Sequence, residues 1–526
     1  MCRTLLGMQG QGRAVLGIAV ATIVACEGGV APASDASTTG TSTSTGAATT
    51  TIATSTTSVG ELESGGGSGE SGPDFPAGPW DTGWPIPAEP QTEGDAEAGW
   101  YQMVHEGYVS CGIPMSMWGL LAPFLGDFVG GEPLPDREGD AANMPYNWNV
   151  VVANSGVKLA TQNCLSCHAG KFDGKLVIGL GDADTDFTRR FDQMLALVPT
   201  PELPGGDLAE LTKYLDRLKV LGPYTTMRTI GTNPAEPLAV TLVAHRDRDT
   251  LAWSDEPLEA LPEIIVPSDP PPWWRAHKKN ALFYNAMARG DHRGTMMLAS
   301  SLCTDTIDEA TAIASYFNNI HAFVRSVRAP EYPYPIDAAL ASEGEAVFLA
   351  TCAGCHGTYG ASEEEDTYPN LLFPLDVIGT DPVVAEGGTK WAPQMVDWYN
   401  ESFYGTITRM EPDNPWPGYA APPLDGVWAT GPFLHNGSVP SIALVIDSSK
   451  RPRYWKRVDH DTTNFDEVNL GWPWLESDYG HADAPADEQK FIYDTTQLAH
   501  ANTGHTFGDA LSDDERRALL EYLKTI

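Results

Sequence analysis

Two pentapeptides constrain this chain more than anything else in it: Cys164-Leu165-Ser166-Cys167-His168 and Cys352-Ala353-Gly354-Cys355-His356. In a Cys-x-x-Cys-His run the thiols are spaced to add across the two vinyl groups on one edge of a porphyrin. The adjoining histidine is then carried under the iron. The spacing predicts two covalently bound haem c groups, attached at Cys164, Cys167, Cys352 and Cys355, with His168 and His356 as iron ligands. The competing reading is a four-thiolate zinc site. Zinc needs no histidine after either pair, and it requires the pairs to meet across a long separation, so haem is preferred.

The N-terminus reads as an export signal. Arg3 and Arg13 are basic, residues 15–24 are apolar, and the run ends Ile23-Val24-Ala25-Cys26. A small residue before such a cysteine is the pattern of a bacterial lipoprotein signal, which makes Cys26 the lipidated N-terminus. The alternative is an ordinary cleaved signal. The apolar run is short for a membrane span, so the expectation is attachment to the membrane by a lipid anchor only, in the bacterial cell envelope, periplasmic or outer. Residues 27–90 begin rich in Ser, Thr, Gly and Ala and end rich in Pro. With few large apolar groups to bury, most of this stretch is expected to be a flexible linker.

The formal net charge is -38, which argues against nucleic acid as a partner because phosphate would be repelled. An acidic surface suits solubility first and steering of a basic redox protein partner second. The run Glu363, Glu364, Glu365 and Asp366 is a candidate calcium site, although a solvated loop explains it better. Of the eight cysteines, Cys2 leaves with the signal, Cys26 takes lipid and four attach haem. Cys111 and Cys303 remain, and an oxidising compartment would let them pair.

Helix signals are clearest at the C-terminus, where Ser512 and Glu515 form a capping box ahead of Leu519, Leu520 and Leu523. Further helices are predicted over 208–221 and 307–327, and two more over 151–162 and 338–350, leading into the haem motifs. The intervening stretches, rich in Pro, Gly, Asp and Trp, have no clear period. The expected fold is mostly α with long irregular loops, as two cytochrome c-like haem domains at 91–330 and 331–526, after the signal (1–26) and linker.

Residues 421–440 read APPLDGVWATGPFLHNGSVP. This resembles the "TAPYxHDGS" region of bacterial di-haem cytochrome c peroxidases and the related MauG enzymes. The runs PPWWRAHKKN (271–280), RGDH (289–292) and GHTFG (504–508) make the chain look closer to the rubber oxygenase branch of that superfamily. The likeness extends from about residue 142 to the C-terminus. It implies that His505, which follows the "HDG" stretch and precedes the last helix, is the sixth ligand of the second haem. His435 matches the "HDG" histidine. It is a candidate metal-site residue, with a buried hydrogen bond as its better reading. Trp274 best fits the tryptophan that passes charge between the haems, and core packing of Trp273 and Trp274 is the alternative.

At the first haem, Met296 and Met297 are candidate ligands more simply read as helix packing, and Arg289, Asp291 and His292 are candidates to line the distal pocket or to salt-bridge the haem propionates. The expected function is that of an oxidoreductase activating dioxygen or peroxide at the first haem, with the second in electron transfer. The substrate would be a small-molecule oxidant or an apolar compound. A non-catalytic electron-transfer cytochrome is the alternative, since haem attachment alone does not imply catalysis.

Overall fold

The computed structural model describes residues 75, 77–196, 203–411 and 414–526. The expected signal peptide, Cys26 and most of the expected 27–90 linker lie outside the described residues. The last part of that linker stretch is packed rather than loose. Trp84–Pro85 forms a strand against Leu371–Pro374, and Ile86 behind it is buried.

Each haem motif lies in sequence between two helices that cross. Ala96–His105 packs on Ile307–Ser326 on either side of the first motif, and Ala338–Thr351 packs on Asp513–Tyr522 on either side of the second. Glycine sets both crossings. A Cβ on Gly99 would lie 1.9 Å from the Asn319 carbonyl oxygen, and one on Gly344 would lie 1.9 Å from that of Ala518. Only a residue without a side chain lets the helix backbones approach so closely. Side-chain caps start these helices: Asp95, Thr306, Asp337 and Ser512 each accept a backbone N–H of the first turn. The Ser512–Glu515 capping box forms as expected. Gly205–Leu221 confirms the remaining predicted helix.

The expectation of a mostly α fold is not met. Among the described residues, five small antiparallel sheets accompany the helices. The helix predicted over 151–162 is a hairpin, in which Trp148–Val152 pairs with Lys158–Gln162 and Val150 faces Ala160. The reason is local. Val150, Val151 and Val152 are β-branched and favour a pleated, half-buried surface. The turn Asn154-Ser155-Gly156 then reverses the chain, with Gly156 at φ 84°. Other strands are two to five residues long, too short to print a period on the sequence.

Apolar residues gather in two large cores. One joins Met103, Leu165, Trp273, Phe317 and Trp398, with Cys164 packed against it. The other joins Phe172, Trp274, Phe348, Trp428 and Leu519, with Cys352 packed against it. Both draw on residues from each side of position 330, and the strands Ala288–Gly290 and Thr408–Met410 pair across that point. Cys111 and Cys303 form a disulfide with Cα atoms 5.7 Å apart, as the cysteine count suggested.

Candidate functional site

The first motif is held from its backbone. Cys164 donates its N–H to the Tyr108 hydroxyl at 3.0 Å, and Tyr108 in turn donates to the Met103 carbonyl. Asn163 Oδ1 accepts the Leu165 N–H at 2.9 Å and starts the short helix Leu165–His168. The His168 ring stacks on Trp273 at 5.0 Å between centroids. Its Nδ1 is a buried atom without a hydrogen-bond partner, although the Pro271 carbonyl close by partly opposes the effect of burial. Desolvation pushes His168 down to about 4, so the imidazole is neutral and keeps a nitrogen lone pair.

The second motif repeats this logic more completely. His356 Nδ1 donates to the Pro422 carbonyl at 2.7 Å. That bond fixes the tautomer and leaves Nε2 with its lone pair, the arrangement a metal-ligating histidine needs. His505 faces it with ring centroids 6.2 Å apart. Two imidazoles sharing one metal through bonds of about 2 Å, each centroid about 1 Å behind its nitrogen, stand about 6 Å apart. Desolvation pushes both rings down to about 4, and His505 Nδ1 is a buried atom without a partner.

His505 is clamped into this position. It sits at φ 46°, and its N–H donates to the Ile378 carbonyl at 2.7 Å. The Arg451 guanidinium donates to the carbonyls of Asn502, Gly504 and His505 on one side and of Leu444 and Val445 on the other. His435 is placed elsewhere. It stacks on Tyr419 at 4.3 Å, and its Nε2 lies 3.1 Å from the Tyr419 hydroxyl, which donates to the Asp381 carbonyl. With the phenol proton so committed, His435 Nε2 is the donor to that oxygen. The geometry brings His505, not His435, to His356.

Between the motifs runs the turn Trp273–Arg275. Trp273 belongs to the core of the first motif and Trp274 to the core of the second, so adjacent indoles reach into both. Trp274 is fully buried and donates Nε1–H to the Asp425 carbonyl at 2.7 Å, three residues after the Pro422 that holds His356. Sequence reasoning favoured Trp274. It missed that Trp273 stacks on His168, and that a Pro-Pro pair supplies the carbonyl facing each motif histidine: Pro271-Pro272 and Pro422-Pro423. That repetition is a readable signal.

The remaining candidates scatter. Met297 is buried in the first core with Met296 packed against it. Arg289 lies over the Trp84 ring, and Asp291 binds Arg293 and Thr92. Within the acidic run, Glu363 pairs with His277 and Arg328 while Asp366 pairs with Lys278, so these carboxylates face protein cations. Among the described residues no three His, Cys, Asp or Glu side chains group to hold a metal ion. The two cysteine pairs therefore do not converge as a zinc site would require. The four motif thiols form no disulfide. Free thiols in attachment spacing, neutral imidazoles with a nitrogen to give, and a fixed ligand tautomer at His356 all fit haem c.

Residues 418–456 match the family described as RoxA-like, cytochrome c-like. The match implies haem c, and it supports the relationship to rubber-oxygenase-like di-haem cytochromes. The matched segment contains Pro422, Asp425, His435 and Arg451, and so carries the acceptor of His356, the acceptor of Trp274 and the clamp on His505. Two proteins of Sinorhizobium fredii (strain NBRC 101917 / NGR234) are similar to the chain. Uncharacterized protein y4iJ is 27% identical, over 69% of this chain and 76% of its own length. Uncharacterized protein y4iM is 27% identical over 37% of this chain, which spans half of that relative's length.

Proposed function

We propose that the chain is a di-haem c-type oxidoreductase of the bacterial cell envelope, lipid-anchored through Cys26, with one haem attached in each half. The observation that carries this reading is the spacing of His356 and His505, 6.2 Å between ring centroids. It suits a second haem that His356 and His505 would hold between them, which would supply electron transfer. Among the described residues no second imidazole stands at that spacing from His168, and this suits a first haem with a position free for an external ligand. A haem with a free position supplies binding and reductive activation of dioxygen or peroxide, while one with two protein ligands supplies reversible electron transfer.

The chain's own residues do the positioning. Tyr108 and Asn163 orient the first motif. Trp273 limits rotation of the His168 ring by stacking on it. Pro422 holds the His356 proton at Nδ1, and Arg451 holds the loop of His505. The adjacent indoles of Trp273 and Trp274 put one ring in each core, which would shorten the gap an electron must cross. Apolar and aromatic residues around the first motif, among them Tyr108, Phe317, Phe283 and Met296, favour an apolar substrate beside the oxidant. The oxygenase form, acting on a carbon–carbon double bond, fits these walls better than a peroxidase, which needs an acid or base there.

One observation favours the competing relay reading. His292 and His321 are buried with ring nitrogens lacking a well-formed hydrogen bond, so their chemistry suits a metal ligand although neither stands at that spacing from His168. Carbon monoxide titration of the reduced protein separates the two. One equivalent bound per two haems, with haem counted as its pyridine complex, is the expected result. No binding at all would leave only the relay.

A further inference from the structure

His292 and His321 are 1% exposed, and their ring centroids lie 5.9 Å apart at 76°. Neither ring has a well-formed hydrogen bond, although the Asn280 backbone close to His292 partly opposes the effect of burial there. Ring nitrogens left unmet together in one buried spot are unusual, because buried polar groups are nearly always paired. His292 stands just before the helix Arg293–Ala299, with its backbone N–H held by Gln91. His321 lies on Ile307–Ser326, four residues after Phe317 and therefore on the same helix face. Phe317 meets Tyr108 edge-to-face at 5.7 Å, and Tyr108 binds the Cys164 N–H. The histidine pair is thus one helical turn along the face that leads away from the first haem motif.

The charges around the pair select its ligand. Burial is the main reason both rings stay neutral; Lys279 and Arg325 add to it at His292, and Arg325 and Arg293 add to it at His321 against the opposing charge of Asp291. Asp291, whose charge acts on His321, is already taken by Arg293 and by Thr92. Lys279 has no polar side-chain partner among the described residues, and desolvation beside Arg275 pulls it down to about 8. A metal cation would enter a positive field with no free carboxylate. An axial bond to iron would use one nitrogen and leave the other ring unmet. A carboxylate takes one N–H from each ring and neutralises the two surplus cations.

We propose that His292, His321, Lys279 and Arg325 form a carboxylate pocket for a propionate of the haem attached at Cys164 and Cys167. The assignment rests on haem attachment at the first motif. A haem held at Cys164 and Cys167 would carry its propionates on the edge opposite the thioethers, which suits a pocket one helical turn beyond Phe317, the residue that reaches the motif through Tyr108.

The test uses the full-length, haem-loaded protein and its Lys279→Met and His321→Leu variants. Pyridine haemochrome counts haem, electron paramagnetic resonance reports spin state, and absorbance at poised potentials reports the ferric-to-ferrous ratio of each haem. Removing the cation leaves the propionate charge unneutralised and favours ferric iron. In Lys279→Met the ratio for one haem should rise about tenfold at fixed potential, or about 59 mV for a one-electron couple. Haem count and spin states should be unchanged. Ratios within twofold of the parent for both haems would overturn the assignment. So would loss of a low-spin signal in His321→Leu, which would make that ring an iron ligand. A saturable shift of the parent's ratios with added formate would overturn the propionate as occupant, because the pocket would then be open to free carboxylates. A parent protein with fewer than two haems would instead refute the underlying haem reading, and the count reports that separately.

Discussion

Replacing Arg451 with methionine removes the clamp on His505 while keeping the length of the side chain. In the parent, Arg451 donates to the Asn502 carbonyl at 2.7 Å, to Gly504 at 2.6 Å and to His505 at 3.1 Å. Hydrogen bonds from a charged donor contribute about 1.5–3 kcal/mol each. These three are only half-buried, and water replaces part of what is lost, so about 1 kcal/mol each is the fair figure. The held loop also carries backbone strain, because His505 is not glycine and sits at φ 46°. The change then shifts the equilibrium between held and released loop by about 3 kcal/mol, or about 100-fold. The assay is carbon monoxide binding to the reduced protein, followed at the Soret band. The parent should bind one equivalent, whereas Arg451→Met should show a second, weaker phase and His505→Ala a full second equivalent. If His505→Ala bound no more carbon monoxide than the parent, His505 would not be the ligand and the reasoning would fail.

Three further outcomes follow from the same geometry. A Cβ on Gly426, at φ 57°, would lie 3.0 Å from Trp274 Nε1 and 3.0 Å from the Ala329 side chain. Gly426→Ala should therefore cost about 1–3 kcal/mol in denaturant melts and slow electron transfer between the haems in stopped-flow reduction; unchanged values of both would show that the contact is slack. Replacing Cys111 and Cys303 together by alanine opens a link between residues 192 apart. The loss should be about 3–5 kcal/mol of stability in oxidising buffer, with haem content retained. Desolvation raises the Asp269 carboxyl to about 8, against a hydrogen bond from Tyr284 and the charge of Arg275. Between the unfolded value near 4 and about 8 the folded state holds one more proton than the unfolded state, so stability falls as pH rises through that window. Asp269→Asn should flatten this slope, and an unaltered slope would place the proton elsewhere.

How much of this was legible in advance depended on the range of the cause. Ser512 with Glu515, and the apolar spacing after Ile307, are local signals and gave their helices to within a residue or two. The hairpin at 148–162 was equally local, but the Val-Val-Val run was read by its position before a haem motif instead of by its β-branched side chains. The small sheets were invisible because strands such as Trp84–Pro85 form only when a distant partner, here Leu371–Pro374, arrives. At the site, the attachment pentapeptides carry their chemistry in their spacing, and so were plain. His505 was reachable only through likeness to known cytochromes. His321 was missed because a single histidine on an amphipathic helix has no spacing that announces it. Its relation to His292 arises from the packing of two helices, which neither segment encodes alone.

The central claim is that the two irons differ, one ligated on both sides by His356 and His505 and one by His168 alone. Spin-quantified electron paramagnetic resonance of the fully oxidised protein tests this most directly. The account predicts one low-spin and one high-spin ferric haem per chain, with the low-spin signal lost in His505→Ala. Two low-spin haems in the parent, or a low-spin signal that survives His505→Ala, would contradict it.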